Sequence, residues 1–305
     1  MLKGILLWIR FVALALRGKR AWRNAIFAAT VVAHPVFGAD PPPAKESKAT
    51  LRTNVTLASQ YVSRGYQLSW GKPALQGGAD YIHPSGAFAG TWMSTVSPKI
   101  LSDGYMEWDL YAGYSAPVGP LSFKGALYYY IYPSAGIPAS ANASGDPVKY
   151  DYGELLLSAT WKWVTVNHWY TYTEDYYGSN GDTLFDGSGS YYRNGKHSRG
   201  SGYLDINFDY EVGNGYSAGL HYGYQHIENF HDWDSADYKI GITKTFNSVG
   251  GSKGWNVGAH YIGVTKVNDY YKNRNAAVPF VLTSGEVSKS GIAGNQFIVT
   301  VGRIF

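Results

Sequence analysis

The residues best suited to metal chemistry in this 305-residue sequence lie in the stretch HYGYQHIENFHDWD, residues 221–234. Imidazole and carboxylate groups bind zinc and similar ions, and a site needs three or four of them to converge on one point. Most of the candidates lie beyond a predicted strand, in a loop whose shape is unknown. We therefore favour the interpretation that these are solvated polar residues of a loop, and we expect no metal or other cofactor. The candidates are His226, Glu228, His231, Asp232 and Asp234.

Hydrolysis by a hydroxyl and an imidazole is a second chemistry to consider, since Ser158 and His168 lie on adjacent predicted strands. The alternation of side chains puts Ser158 on one face and His168 on the other, and neither belongs to a recognisable nucleophile motif. The sequence has no Cys, which excludes a thiol nucleophile, a disulfide framework and a thiolate metal site. We therefore expect that the protein is not an enzyme, with a hydrolase as the minor alternative.

The strongest pattern in the sequence is an alternation of apolar and polar side chains with a period of two. In YLDINFDYE, residues 203–211, apolar or aromatic side chains alternate with Asp205, Asn207 and Asp209. This pattern is typical of a strand with one face in an apolar medium and the other in water. Three polar groups on one side are too costly to bury in a dry core, so water must reach that side.

Twelve segments predict strands, and their connections fall into two classes. If the first strand runs outward, every connection longer than nine residues lies at the outer end, as in bacterial outer-membrane barrels. The predicted strands are 51–64, 74–83, 87–96, 106–114, 121–132, 150–161, 164–173, 203–211, 216–227, 236–246, 255–264 and 295–305. The predicted outer loops are 65–73, 97–105, 133–149, 174–202, 228–235 and 265–294.

These features predict an all-β fold, a transmembrane antiparallel up-and-down β-barrel of about twelve strands over residues 51–305. In hydrocarbon every backbone amide must be paired, so a spanning sheet has to close on itself. The 27 Tyr and 10 Trp residues suit aromatic girdles at the membrane interfaces. Charged residues make up 16% of the chain, against about a quarter in soluble domains. A soluble β-sandwich with an aromatic core is the alternative.

The N-terminal residues 1–39 have the features of a secretory signal peptide for the Sec pathway. A basic stretch precedes the apolar run AIFAATVVA, and small residues before Asp40 predict cleavage after Gly38 or Ala39. A membrane anchor is the alternative, although the apolar runs are shorter than the roughly 20 residues of a spanning helix. Residues 40–50 predict a Pro-rich periplasmic spacer.

The formal net charge of +4 is carried by this N-terminal segment. Six Lys and Arg residues lie before position 38, and without them 20 basic and 22 acidic residues remain, a net charge of −2. A protein that binds nucleic acid is expected to present a basic surface. Nucleic acid is therefore not an expected partner.

The chain ends in NQFIVTVGRIF, with Phe297, Val299, Val301 and Phe305 on one face. This segment resembles the terminal strand that the barrel-assembly machinery of the outer membrane recognises, and the resemblance implies that Phe305 is the recognised residue. Arg303 shares the lipid side, where its charge would have to reach the interface.

The same alternation, carried across all strands, predicts which side chains line a pore. Six acids stand against four bases on these positions, which predicts a narrow aqueous channel with a weak preference for cations. A satisfied charge network that fills a closed barrel is the alternative. The predicted pore-lining residues are Arg52, Arg64, Gln76, Asp80, Glu107, Asp109, Lys124, Glu154, Asp205, Asp209 and Lys239.

The first outer loop is the predicted constriction. Arg64-Gly65 and Lys72-Pro73 flank it, and Gln76 and Asp80 follow just below. In the alternative interpretation the glycines serve backbone bends and Arg64 pairs with Asp80.

Several blocks of the sequence resemble the bacterial TorF family of outer-membrane proteins, which were formerly conserved hypothetical proteins and are assigned as porins. The blocks are SRGYQLSWGKPALQGGADY (63–81), LYAGYSAPVGPLSFKGALYYYIYP (110–133), TEDYYG (173–178) and GYLDINFDYEVGNGYSAGLHYGYQ (202–225). The resemblance implies a barrel of about twelve strands in the outer membrane with a channel function. It implies no particular solute.

The expected function is therefore a Gram-negative outer-membrane channel for small hydrophilic solutes or ions. Two alternatives stay open: a non-conducting barrel that displays its external loops as a scaffold or adhesin, and an outer-membrane hydrolase. The sequence predicts neither the solute nor the oligomeric state.

Overall fold

A computed structural model describes residues 48–246, 254–268 and 292–305. Strands dominate these residues, and no helix among them is long and apolar enough to span a membrane. The strands are β1 Thr50–Ala58, β2 Val62–Ser63, β3 Tyr66–Gln67, β4 Ala74–Ile82, β5 Ala87–Thr95, β6 Met106–Val118, β7 Leu121–Ile131, β8 Gly136–Ile137, β9 Val148–Lys149, β10 Tyr152–Trp161, β11 Val164–Thr171, β12 Gly202–Gly213, β13 Tyr216–His226, β14 Ser235–Phe246, β15 Trp255–Lys266 and β16 Gln296–Ile304. Two short 3-10 helices are Ala139–Ala141 and His231–Trp233.

Twelve of these strands form one closed antiparallel barrel, as predicted. The order around the barrel is β1-β16-β15-β14-β13-β12-β11-β10-β7-β6-β5-β4. β1 pairs with β4 on one side and with β16 on the other, and the second pairing runs from Asn54 opposite Ile304 to Ala58 opposite Thr300. Closure leaves the sheet no unpaired edge, which is the requirement for a sheet that crosses hydrocarbon.

The predicted end of the first strand is wrong. The first strand was predicted to run to residue 64, but β1 ends at Ala58 and residues 62–67 form a separate hairpin of β2 and β3. The predicted signal peptide and most of the predicted spacer lie outside the described residues. So does most of the predicted loop 265–294.

The two rims of the barrel differ in the length of their connections. At one rim, which we call the short-turn rim, β6 and β7 are joined by two residues, as are β10 and β11. At the other, the long-loop rim, β11 and β12 are separated by residues 172–201. β1 begins and β16 ends at the short-turn rim, because Asn54 lies opposite Ile304.

The outer surface of the barrel is apolar. Leu57, Leu127, Leu157 and Leu220 each expose at least half of their surface on this side. Aromatic residues gather where the strands reach the short-turn rim, at Tyr114, Trp161, Trp163, Tyr210, Tyr216, Phe246, Trp255 and Phe305. This surface has the composition of a lipid-facing wall with an interfacial girdle.

Cationic side chains cover part of this girdle. Lys162 Nζ lies 4.8 Å from the Trp161 ring centre, and Lys244 Nζ lies 4.2 Å from that of Tyr216. Arg303 Cζ lies 4.8 Å from the ring centre of Phe305 at the end of the chain. The Arg303 guanidinium thus lies at the rim, where an amphipathic side chain can reach water.

Candidate pore interior and its constriction

The first outer loop folds into the barrel and crosses its interior. We call residues 62–67 the inserted hairpin, in which Val62 pairs with Gln67 and Ser63 with Tyr66. On either side of it Tyr61 and Leu68 are buried, and the Tyr61 ring lies 5.6 Å from that of Trp92 on β5. The hairpin is therefore part of the packed interior.

The tip of the inserted hairpin needs a glycine. Gly65 has φ of 84°, a conformation that side chains other than glycine rarely adopt. A Cβ atom there would lie 2.6 Å from Val264 Cγ1 and 3.0 Å from Asp237 Cβ. The tip is thus pressed against β14 and β15, on the far side of the lumen from the packing of Tyr61 against β5.

Arg64, beside Gly65, anchors the hairpin to the opposite wall. Its guanidinium binds Glu154 on β10 through two nitrogens, at 3.0 Å to Oε1 and 2.5 Å to Oε2. It also donates to Gln225 Oε1 on β13 at 2.8 Å and to the Tyr176 hydroxyl at 3.4 Å. Glu154 is fully buried, and the Arg64 side chain is 12% exposed. A bidentate pair of this kind fixes both geometry and orientation.

Aromatic rings enclose the Arg64 guanidinium. Its Cζ lies 4.5 Å from the ring centre of Tyr203, 5.7 Å from that of Trp169 and 5.6 Å from that of Tyr176. A desolvated guanidinium over aromatic faces gains cation–π energy in addition to its ion pair. The free-energy cost of burying the Arg64 charge is thus offset by the Glu154 carboxylate and by the surrounding aromatic rings.

The inserted hairpin separates two cavities. The inner cavity has a volume of about 140 Å³ and is lined in part by the charged residues Glu107, Asp109, Lys124 and Lys239. The outer cavity, of about 130 Å³, is lined mainly by Tyr and aliphatic side chains of the long-loop rim. Both cavities reach Ser63, Arg64 and Tyr152. The Arg64 side chain therefore lies where the two spaces meet.

Two carboxylates face the inner cavity with open acceptor positions. Glu107 and Asp109 are 3% and 7% exposed. Among the described residues, neither Glu107 Oε2 nor Asp109 Oδ1 has a hydrogen-bond partner. Buried carboxylate oxygens need compensation from water or cations when protein donors are lacking.

A histidine between two aspartates forms the centre of a polar network on the wall. His221 Nδ1 lies 2.9 Å from Asp205 Oδ1, and Nε2 lies 2.9 Å from Asp237 Oδ2. The Tyr203 hydroxyl donates to Asp237 Oδ1 at 2.8 Å, and Asn167 Nδ2 donates to Asp205 Oδ2 at 3.0 Å. The network joins β11, β12, β13 and β14 and stiffens this side of the barrel.

The structure places ten of the eleven predicted pore-lining residues on the inner face of the wall, and the eleventh, Arg64, on the inserted hairpin. Asp209 is exposed near the short-turn rim. Gln76 is buried and donates to Ser94 Oγ at 3.3 Å. Whether these side chains line a conducting path stays a prediction.

Two details of the predicted constriction are corrected. The alternative in which Arg64 pairs with Asp80 is wrong, because Arg64 binds Glu154. Asp80 instead lies opposite Arg52 in the strand register and accepts a hydrogen bond from the Tyr111 hydroxyl at 2.5 Å. Lys72 and Pro73 are exposed, outside the constriction.

Several interior residues were not predicted as site residues. Asp237 and His221 share the alternation that identified Lys239 and Asp205, so the same pattern could have found them. Gln225 contacts Arg64 only because the hairpin folds inward. The Ser158 and His168 of the hydrolase alternative lie on opposite faces, since Ser158 is buried inside and His168 is exposed outside.

Comparison with known proteins finds distant likenesses among solved structures. The KdgM porin has 10% sequence identity and a TM-score of 0.45, over 83% of this chain and 99% of that chain. The NanC porin has 8% identity and a TM-score of 0.45, over the same two shares. OccK2 (OpdF) of Pseudomonas aeruginosa, solved in complex with glucuronate, has 15% identity and a TM-score of 0.34, over 86% of this chain and 67% of that chain. Nothing about this chain's function rests on these likenesses.

Among curated proteins no sequence matches the chain. A family model does match, and its description carries no activity, so the resemblance to the TorF family stays a prediction. That model, described as "Bacterial protein of unknown function (Gcw_chp)", matches residues 43–286, most of the chain, and the protein belongs to this family.

Proposed function

We propose that this protein is an outer-membrane channel for small hydrophilic solutes or ions, with its constriction at the inserted hairpin. The observation that carries the proposal is the position of Arg64, where a polar inner cavity and an outer cavity meet inside a closed barrel with an apolar exterior. Cavities on both sides of the inserted hairpin support a path that is narrowest at Arg64.

The proposed channel weakly prefers cations. Glu107 and Asp109 offer unpartnered carboxylate oxygens at the inner cavity. Asp237 adds a further acid to the six on the inner wall, close to the tip of the hairpin. Rings of acidic side chains attract cations in channels.

The test is a planar bilayer recording of the refolded mature chain. We expect discrete conductance steps, a reversal potential in a KCl gradient with the sign of cation preference, and a sharp cut-off in a series of neutral solutes of increasing size. A barrel that migrates as folded on a heat-modifiability gel but never conducts would reject the channel proposal.

We expect the double substitution Glu107→Gln and Asp109→Asn to move the reversal potential toward zero. The reason is that it removes the two carboxylates with open positions at the inner cavity while keeping their size. Asp186→Asn is the control, since it removes a carboxylate of the 172–201 loop, and Asp186 lines neither cavity. An unchanged reversal potential in the double variant would show that selectivity arises elsewhere.

A non-conducting barrel that displays external loops is the second candidate. The observation that favours it is the filling of the outer half of the lumen by the hairpin and by stacked tyrosines, such as Tyr130 and Tyr152 with ring centres 4.5 Å apart. The same bilayer recording separates the two candidates.

Export and insertion complete the proposal. We infer that the mature chain reaches the outer membrane after Sec export and that Phe305 is its signal to the barrel-assembly machinery. The exposed position of Phe305 at the short-turn rim supports this role. Neither catalytic activity nor a nucleic-acid partner is part of the proposed function.

A further inference from the structure

We propose that His226, His231 and Asp234 form a binding site for a divalent transition metal ion at the long-loop rim. The three side chains each offer one ligand atom, and these atoms lie within 4.8 Å of one another. The site is separate from the proposed channel path, so neither proposal depends on the other.

The spacing of the ligand atoms fits a metal with short bonds. His226 Nδ1 lies 3.2 Å from Asp234 Oδ1. Two ligands of a tetrahedral zinc ion, with bonds of roughly 2.0–2.1 Å, lie about 3.3 Å apart. The His226 and His231 rings are stacked with centres 4.9 Å apart, and a His231 nitrogen lies within 4.8 Å of the other two ligand atoms.

Glu228 lies beside the His226 nitrogen that faces away from Asp234. Its Oε2 lies 3.5 Å from His226 Nε2, on the side of the ring away from Asp234. A carboxylate on the distal nitrogen of a metal-binding histidine fixes the tautomer and orients the ring. The Nδ1 lone pair is then directed toward Asp234.

Asp234 is already held in place. Its side chain is 6% exposed, and its Oδ1 accepts a hydrogen bond from the Ile227 amide at 2.8 Å. Its Oδ2 accepts one from the Tyr224 hydroxyl at 2.8 Å and lies 3.5 Å from Lys266 Nζ. Oδ1 keeps a second lone pair on the side of His226, so metal binding needs no displacement of these partners.

The turn that carries His231 packs against side chains of the 172–201 loop. His231 begins the short helix His231–Trp233, and the buried Trp233 donates from Nε1 to the Phe185 carbonyl at 2.9 Å. Trp233 and Phe230 belong to one buried cluster with Leu184 and Ile227. A site on a supported turn loses little entropy when it binds an ion.

The donor set selects the class of metal. Two imidazoles and one carboxylate suit Zn²⁺, Ni²⁺ or Cu²⁺, whereas Ca²⁺ and Mg²⁺ prefer sites built of oxygen ligands. The exposed side of His231 leaves room for a water molecule as the fourth ligand.

The test is a titration of the refolded chain, prepared without a polyhistidine tag, with ZnCl₂ in a calorimeter and with Co²⁺ as a spectroscopic probe. We expect one zinc per chain, binding about 100-fold weaker in His226→Ala or His231→Ala, and about 10-fold weaker in Glu228→Gln. His197→Ala is the matched control, because His197 is an exposed histidine beside Asp175 and Glu174 and is not one of the three proposed ligands. Its zinc affinity should equal that of the unchanged chain.

Each variant is first shown to be folded by its heat-modifiable migration. Absence of zinc binding by the folded chain, or equal affinity in the double variant His226→Ala and His231→Ala, would overturn the proposal. Visible Co²⁺ absorption of tetrahedral intensity that is lost in His231→Ala would support it. His231→Ala is the more informative variant, because His231 is exposed and lies outside the buried cluster of Phe230 and Trp233.

Discussion

Replacing Arg64 with alanine should raise the single-channel conductance severalfold. The substitution removes the bidentate partner of the fully buried Glu154 and the contact to Gln225. Loss of one partner from a buried ion pair costs about 3–5 kcal/mol. We expect the inserted hairpin to lose its anchor on β10 and the two cavities to join. The measurement is the conductance of single channels in symmetric KCl.

Three further variants make this expectation specific to the hairpin anchor. Glu154→Gln should also raise conductance, since it removes the charge from the other side of the pair. Arg64→Lys should give an intermediate value, because lysine keeps the charge but cannot bind both carboxylate oxygens in parallel. Arg52→Ala removes an interior cation from the wall, away from the hairpin, and should change conductance little. Equal conductance in Arg64→Ala and the unchanged chain would show that the hairpin does not limit flow.

Replacing Leu220 with arginine should lower the free energy of unfolding in a bilayer by about 2–4 kcal/mol, the cost of a cation near the membrane midplane on the lipid face of a barrel. Leu220 lies midway along β13 and is 51% exposed on the outer wall. On the surface of a soluble protein the same change would cost little. The measurement is reversible unfolding in lipid vesicles by guanidinium, followed by Trp fluorescence.

The control for this prediction is the same substitution at a lipid-facing residue nearer the membrane interface. Val212 is 62% exposed near the short-turn end of β12, and Val212→Arg should cost only about 0–1 kcal/mol because a side chain near the interface can reach water. If both variants lost the same free energy, or neither lost any, the outer wall would not be the lipid-facing surface of the barrel.

Much of the barrel could be predicted from the sequence because alternation with period two is imposed by the membrane itself. In a strand such as YLDINFDYE of β12, apolar side chains face the outer surface and polar side chains face the interior, so the residue type indicates the face. The same rule placed Glu107, Asp109 and Lys239 inside. The lengths of the connections separated the outer loops from the inner turns.

The inserted hairpin could not be predicted, for a reason visible in its residues. Val62 and Arg64 continue the alternation of β1, and a local pattern cannot distinguish a strand in the wall from a strand inside the lumen. The partner of Arg64 was also hidden, because Glu154 lies 90 positions away on β10. Only the stagger of neighbouring strands around the closed sheet decides which charges meet across the interior.

The proposed metal-binding residues show, in a loop, that local sequence does not reveal which distant residues come together. His226, His231 and Asp234 were recognised as suitable residue types, but solvated polarity was preferred because nothing local fixed the turn. The structure brings them together through Trp233, whose ring is buried and whose indole donates to a carbonyl of the 172–201 loop. That contact spans 48 positions and has no signal in the local sequence.

The pairing of β1 with β16 also has a consequence for the order in which the molecule assembles. Asn54 and Ile304 are 250 positions apart in the chain, whereas the other neighbouring strands of the barrel follow one another directly or across a single outer loop. Closing the longest loop carries the largest entropic cost, so this contact should form last. The hairpin that follows β1 would then be enclosed in the barrel at the step that closes the sheet.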